Sequence, residues 1–457
     1  MDNKIFSFKL RVVRFYDSVF MKKLTKELKN TFALLSLGTF LEYFDLMLYV
    51  HMAVLLNSLF YEQTDQYSVA LLSAFGFSVT FVCRPIGAVM FGWIGDNFGR
   101  KPVLILTTII MAISCFIMAN LPTYAQIGFT ASVVMTICRI MQSISSSGEV
   151  SSCELYIMEL TAPPIQYRLM GIVTLFSALG GSFALGVASM VTIEGFNWRW
   201  AFWIGIIIAS IGLVARKELK ETPEFVNIKK KVIETAEKFN ISFKEAKILL
   251  KLKDNNVSNK LWINLLIIEC IFPLYYYFSY IYAGDLFKNI FNYSVEEVIH
   301  HNFFLSIVDL GRIIFLMWIS YYVHPFKIFK IQLVISSILV LLLPFSLNNM
   351  TEPYHLTIIQ YAMALFSIHG YPGFAIFYKH INILERFRLI GITYSCGRAI
   401  MFAITSFGLV ILVQKFGNIG LLILFVPMLI AYTIALFYFD KLEKESMHKN
   451  NTNKKLK

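Results

Sequence analysis

Apolar runs long enough to cross a bilayer recur about twelve times between residues 31 and 439. They fall roughly at 31–56, 67–91, 102–119, 127–155, 169–191, 200–215, 261–284, 301–322, 331–347, 355–378, 389–413 and 419–439. No other feature limits the chain so tightly. In hydrocarbon every backbone N–H and C=O has to be satisfied inside the protein, and runs of this length do so as helices. At 57% hydrophobic, 15% charged and a mean hydropathy of +0.63, the chain carries more apolar surface than a water-solvated fold covers. The fold class these runs predict is all-α and integral to the membrane.

The net charge of +12 would suit nucleic acid if it were gathered on one face. It is not. Of the 41 Lys and Arg, 34 fall in the termini, the even-numbered turns and the central loop, on one side of the bilayer. Three (Arg199, Lys288 and Lys415) lie in the opposite loops, and four (Arg84, Arg139, Arg312 and Arg398) lie inside spans. The positive-inside rule then puts both termini in the cytosol, so the charge records topology, and the partner is the bilayer, with no nucleic acid. The six cysteines (Cys83, Cys115, Cys138, Cys153, Cys270 and Cys396) are scattered through the spans as small apolar packers. Residues 1–29 hold eight Lys or Arg interspersed with aromatics, suited equally to a helix lying on the inner leaflet and to a solvated basic tail. No short apolar region with a small-residue cleavage site follows them, so no removable signal is expected.

Between the second and third runs stands Gly92-Trp93-Ile94-Gly95-Asp96-Asn97-Phe98-Gly99-Arg100-Lys101-Pro102, expected as a short charged turn. Gly92, Gly95 and Gly99 share one helical stripe, where missing side chains allow another helix close. Arg100 and Lys101 face the anionic leaflet, and Pro102 suits a first helical turn. This pattern resembles the loop 2–3 signature of the major facilitator superfamily. The resemblance implies twelve transmembrane helices in two six-helix halves, the major facilitator fold. The parts are then a basic segment 1–29, a first half 30–215, a cytosolic loop 216–260 with twelve Lys or Arg, a second half 261–440 and a tail 441–457.

The first half narrows the resemblance. Gly38-x-x-x-Glu42-Tyr43-Phe44-Asp45, Arg84-Pro85-Ile86-Gly87, Arg139-x-x-Gln142 with Gly148-Glu149, Trp198-Arg199-x-Ala201-Phe202 and Glu221-Thr222-Pro223-Glu224-Phe225 occur together. As a set they are similar to the metabolite–proton symporters, the branch of the proline/betaine transporters and of carriers of 2-oxoglutarate, citrate or shikimate. The similarity is good over residues 30–225 and departs where Ser143 and Ser147 replace family glycines. The second half is more distant: at Trp318–Lys327 neither acid nor glycine survives.

The buried charges name the candidate chemistry. Glu42 and Asp45 sit at i, i+3, about 17–21 Å from the start of the first run, where a carboxylate costs at least ~2.5 kcal/mol. Two close carboxylates raise one of their pKa values, as a proton carrier requires, whereas a structural ion pair with a neighbouring helix is the competing reading. Glu149 and Asp309 are the next proton-coupling candidates, although Asp309 and Arg312 stand at i, i+3 and can neutralise each other. Arg139, with Gln142, or Arg312 can grip a substrate carboxylate in a bidentate fork. Tyr276, Tyr277 and Tyr280 offer ring faces to an ammonium, although packing and the interfacial belt account for them better, above all for Tyr280. His369 lies at mid-depth in His369-Gly370-Tyr371-Pro372-Gly373, a cluster that predicts a break in the tenth helix.

The expected function is secondary active transport: proton-coupled symport of a small zwitterionic or carboxylate metabolite, by alternating access, in a bacterial-type cytoplasmic membrane. The partners are the substrate, protons and lipid, with no cofactor and a monomeric carrier. In the gating role that the resemblance implies, Gly92, Asp96, Gly99, Arg100 and Lys101 act with Arg386 and Arg388 at the start of the eleventh helix as an inner latch. Alternatives are a transport-inactive sensor or scaffold, and a carrier of dicarboxylates or other organic acids. An enzyme is not expected, because the eight histidines show no ligand spacing and no nucleophile–base set converges.

Overall fold

The computed structural model describes residues 25–61, 81–191, 197–217, 219–253 and 259–455. Residues 1–24 of the basic segment and 67–80 of the second run lie outside them. The described residues are helical and contain no strand. The first six long helices are α1 (Lys26–Phe60), α2 (Arg84–Phe98), α3 (Arg100–Asn120), α4 (Phe129–Leu160), α5 (Ile165–Val191) and α6 (Arg199–Lys217). Two shorter helices, Pro223–Phe239 and Phe243–Lys253, follow in the basic loop. Next comes α7 (Asn259–Tyr277), which runs through a π-turn (Phe278–Tyr282) into Ala283–Phe291. The last five are α8 (Val295–Ile319), α9 (Pro325–Asn348), α10 (Pro353–Leu365), α11 (Arg386–Phe416) and α12 (Gly420–Lys455).

Seven stretches among the described residues are long and apolar enough to cross a membrane, the last of them joining α11 and α12. The other helices fall short for physical reasons. Helix α2 holds 15 residues and α10 13, and α4 carries Arg139, Glu149, Glu154 and Glu159 in one helix. Side chains of α4 from Gln142 to Glu159 are almost all buried, so this polar helix is solvated by protein and not by lipid.

The helices outrun their apolar runs. Expected as a turn, residues 92–98 instead continue α2, and only Gly99 turns the chain, at φ 112°. Nothing before Gly99 interrupts the helical hydrogen bonding, and charge alone does not end a helix. At the other end, α12 continues through the polar tail to Lys455. In the loop, Ser242 and Glu245 form a capping box: Ser242 N and Oγ both donate to Glu245 Oε2 at 2.8 Å. The backbone bond first, and the hydroxyl second, hold this carboxyl below its ordinary range.

The chain forms two compact units. One extends to Thr161 and resumes over Ile172–Lys231; the other takes Ala162–Gly171 and everything from Val232 onward. In the first, α3 packs on α4 and α6, and α4 on α1 and α2; in the second, α7 packs on α11 and α12.

Candidate functional site

In the first unit the buried polar side chains of α1, α3 and α4 are joined end to end. Glu42, Asp45, Arg139 and Gln142 are each at most 2% exposed. Arg139 Nη1 donates to Gln142 Oε1 at 2.8 Å, and Gln142 Nε2 donates to Cys115 Sγ at 3.6 Å. The Cys115 thiol in turn donates to Asp45 Oδ2 at 3.1 Å. Beside this run, Ser146 Oγ donates to Glu42 Oε1 at 2.5 Å. The guanidinium carbon of Arg139 lies 3.8 Å from the ring centroid of Tyr49, which gives the cation a second neighbour. Glu42 and Asp45 therefore share a helix face yet bond different helices.

Glu149 has a different setting. It is ion-paired with Arg216 of α6, accepts from Thr107 Oγ1 at 3.0 Å and from Cys153 Sγ at 3.6 Å. Arg216 Nη1 also donates to Leu104 O at 2.8 Å. Gly38 makes room for the pair: a methyl there would overlap the guanidinium and the carboxylate together. The glycine that opens the α1 motif is thus a packing requirement of an ion pair two helices away.

At the inner end the signature is tied within its own unit. Gly99 is fixed twice, by its left-handed φ and by the Glu221 carboxylate, which occupies the space a Cβ would take. Glu221 accepts from Arg100 N at 3.0 Å and Lys101 N at 3.2 Å, a carboxylate on the N-terminus of α3. Arg100, expected to face the anionic leaflet, is instead fully buried, because Glu159 at 2.8 Å and Gly95 O at 3.0 Å hold its guanidinium inside, 4.8 Å from the Phe225 ring. Thr222 Oγ1 completes Glu159, and Lys101 Nζ donates to Lys217 O at 2.9 Å. Gly92 and Asp96 are buried on α2.

In the second unit rings surround the charges. Arg312 binds Asp309 Oδ1 through Nε at 2.8 Å and Nη2 at 2.7 Å, and reaches Ser367 O at 3.4 Å. Arg398 lies over Phe272 at 5.2 Å and Tyr394 at 4.4 Å. His369 stands edge-on to Phe272 at 4.5 Å and contacts Tyr371 at 4.9 Å, in the interruption after Leu365 that its Gly–Pro cluster predicts. Tyr276 stacks on Tyr280 at 4.9 Å and meets Phe272 and Phe402 at 5.9 and 6.1 Å. Tyr277, about 100° further round the helix, makes no ring contact among the described residues. Glu269 accepts from Tyr378 Oη at 3.3 Å. Near the start of α11, Arg388 pairs with Glu385 at 2.9 Å and Arg386 Nε donates to Ile381 O at 3.2 Å.

Sequence reasoning singled out Glu42, Asp45, Arg139 and Gln142, and the last three stand in one hydrogen-bonded run. It missed Cys115, which bridges them, and Arg216, which pairs with Glu149. Neither carries a local signal: partners 70 and 67 residues apart meet only through helix packing.

These features define a polytopic all-α membrane protein with a buried charged cluster in each unit. The Major Facilitator Superfamily model matches residues 35–381, and the chain belongs to that superfamily. The chain is 34% identical over 209 residues to a proline/betaine transporter of Salmonella typhimurium, covering 44% of this chain and 41% of that protein. The corresponding Escherichia coli K12 protein gives the same figures. A putative proline/betaine transporter of Staphylococcus aureus is 31% identical over 227 residues, 48% of each. The chain thus spans less than half the length of the curated relatives it matches. Among solved structures, the proton:xylose symporter XylE bound to 6-bromo-6-deoxy-D-glucose aligns with a TM-score of 0.73 at 16% identity, covering 90% of this chain and 95% of that one. A D-xylose–proton symporter structure aligns at 0.62 with 15% identity, over 90% and 97%. At such identities these structures show the fold alone.

Proposed function

We propose that the protein is a secondary active transporter that couples proton entry to symport of a small zwitterionic or carboxylate metabolite, of the proline/betaine kind. It works by alternating access as a monomer in a bacterial-type cytoplasmic membrane, with both termini cytosolic. The observation that carries this is the run Arg139–Gln142–Cys115–Asp45, which ties a group able to hold a carboxylate to a group able to take a proton. In this reading Arg139 and Gln142 receive the substrate carboxylate and Glu42 and Asp45 exchange the proton, while Tyr276 or Tyr277, Arg312 and His369 are the substrate-binding candidates of the second unit. Glu149 and Asp309, each ion-paired, are second in line for the proton. The relatives named for proline and betaine support the substrate class.

The test is uptake of labelled proline and glycine betaine into proteoliposomes with and without an inward proton gradient. Accumulation above the equilibrium level only with the gradient is expected. Flux that ignores the gradient ends the symport reading. One observation favours an organic-acid carrier instead: Arg398 lies over Phe272 at 5.2 Å and Arg312 over Tyr371 at 5.9 Å, and His369 contacts both rings, which gathers two cations for a second carboxylate. Citrate or 2-oxoglutarate outcompeting proline would decide for it. The turn Trp318–Lys327, without acid or glycine, favours a transport-inactive sensor, which no uptake across the panel would support. The gating set keeps the role drawn from the resemblance, with Asp96 as the latch. Asp96→Asn is expected to fold normally and lower transport rate several-fold at unchanged affinity, while cysteines at the inner mouth become more accessible. Unchanged rate and accessibility would remove the latch.

A further inference from the structure

Helix α7 leaves α register at one place, Phe278–Tyr282, where the hydrogen bonding becomes π and Ala283 N reaches back to Phe278 O. A π-turn widens the helix by one residue, is less favourable than α-helix, and persists where other contacts offset the difference. Here side chains from two other helices supply them. Gln360 of α10, fully buried, donates from Nε2 to Ser279 O at 2.6 Å and to Asn302 Oδ1 at 3.3 Å. Asn302 of α8 donates from Nδ2 to Tyr280 O at 3.1 Å. Gln360 Oε1 is met by His301 Nε2 at 2.6 Å. The network fixes its own orientation. Reversing the Gln360 amide would turn its oxygen toward two acceptors, Ser279 O and Asn302 Oδ1, so Nε2 donates to both and His301 Nε2 carries a hydrogen.

The two carbonyls held this way belong to Ser279 and to Tyr280, whose ring stacks on Tyr276 at 4.9 Å and so extends the group of Phe272, Tyr276 and Phe402. The main-chain position of Tyr280, and with it the pitch of this aromatic wall, is set by the amide clamp and not by α7 alone. We propose that Gln360 is a positioning residue for cation recognition: without touching substrate, it holds the π-turn that aligns Tyr280 with Tyr276 toward a substrate ammonium. The inference rests on the zwitterion reading above.

Gln360→Met keeps the length of the side chain and removes both donors; Gln360→Glu keeps its shape and puts a carboxylate against two acceptors. The probes are glycine betaine and its carbon isostere 3,3-dimethylbutyrate, which carries a tert-butyl group where betaine has trimethylammonium. In proteoliposomes both variants are expected to raise the KM for betaine about three- to tenfold at similar maximal rate, the scale of one lost cation–aromatic contact. Inhibition by 3,3-dimethylbutyrate should be unchanged. Tyr280→Leu should cause the same loss, and the double variant Tyr280→Leu/Gln360→Met no further loss, because both act on one contact. Hydrogen exchange of residues 278–287 gives a second readout that needs no substrate, and the Met variant should accelerate it there while the rest of the protein stays protected. If the native protein takes up neither zwitterion, the functional reading fails and the exchange result still judges the clamp. Unaltered exchange, or equal loss of affinity for both probes, would overturn the proposal.

Discussion

The two units solve one problem in different ways. Each buries arginines and carboxylates where an isolated charge is costly. In the first unit charges are matched across helices: Asp45 through Cys115 and Gln142 to Arg139, Glu149 to Arg216, Arg100 to Glu159. In the second unit the buried pair Asp309–Arg312 runs along one helix and Arg398 lies on ring faces, while the cross-helix pairs Lys330–Asp440 and Lys379–Glu443 use partly exposed lysines. Cross-helix matching makes every partner a condition of how helices sit, so a change of protonation in it is felt by several helices together. Local pairing leaves the helices less dependent on charge. On the proposed symport reading, this comparison assigns coupling to the first unit and leaves the second to substrate recognition by its aromatic wall.

The sharpest way to break the comparison is to remove one half of an ion pair in each unit. Arg216→Met strands the Glu149 carboxylate in the interior and is expected to destabilise the protein by about 3–5 kcal/mol. Adding Glu149→Gln should recover most of that. Asp309→Asn should cost less, about 1.5–3 kcal/mol, since Asp309 is one-fifth exposed and Arg312 keeps Ser367 O. Thermal unfolding in detergent checks both. Equal losses would mean that local and cross-helix pairs do not differ.

Coupling comes next. Asp45→Asn and Glu42→Gln are each expected to abolish gradient-driven accumulation, and in at least one of them substrate exchange should survive, because exchange moves no net proton. Counterflow in proteoliposomes separates the two activities. Two variants that still concentrate substrate would move the proton site to Glu149 or Asp309 and reverse the assignment of roles to the units.

Much of this was legible in the residues, and the limits are instructive. The helical class follows from apolar runs, and the mid-membrane candidates follow from counting residues inward. The break after Leu365 was written in Gly370, Pro372 and Gly373. Arg216 was not legible, because the sixth apolar run ends at 215 and a basic residue beyond it reads as a loop charge. The helix continues to Lys217 and turns Arg216 inward. Cys115 as a bridge was hidden in the same way, since a thiol among apolar neighbours gives no sign of which helix it faces. The π-turn leaves no periodic mark at all, because one extra residue shifts the phase of a helix only after the turn. Sequence shows which residues are too polar for lipid; packing decides which of them meet.

The smallest expected effects come from two comparable turns, and they test the contrast at the level of a single residue. Between α2 and α3 the chain turns on Gly99, and Glu221, Arg100 and Glu159 lock the turn to α4 and to the segment after α6. Between α8 and α9 the corresponding turn ends in His324, whose Nδ1 accepts from Phe326 N at 3.4 Å, followed by Pro325 as a first-turn residue. Gly99→Ala adds a methyl where Glu221 stands, at a φ that alanine adopts with strain, so about 1–3 kcal/mol should be lost. Because the displaced carboxylate caps α3, exchange should rise in the first turn of that helix and around Glu221 together. His324→Ala removes one long cap bond and the edge-on contact with Tyr167, and should cost about 0.5–1 kcal/mol, with the change in exchange largest in the first turn of α9. The asymmetry follows from the bonds each turn makes: the first is hydrogen-bonded to three segments of its unit, whereas His324 bonds only α9 among the described residues and meets α5 by an edge-on ring contact with Tyr167 at 5.8 Å. If His324→Ala proved as damaging as Gly99→Ala, the second unit would also depend on a locked turn, and the contrast would hold only for the charges inside the membrane.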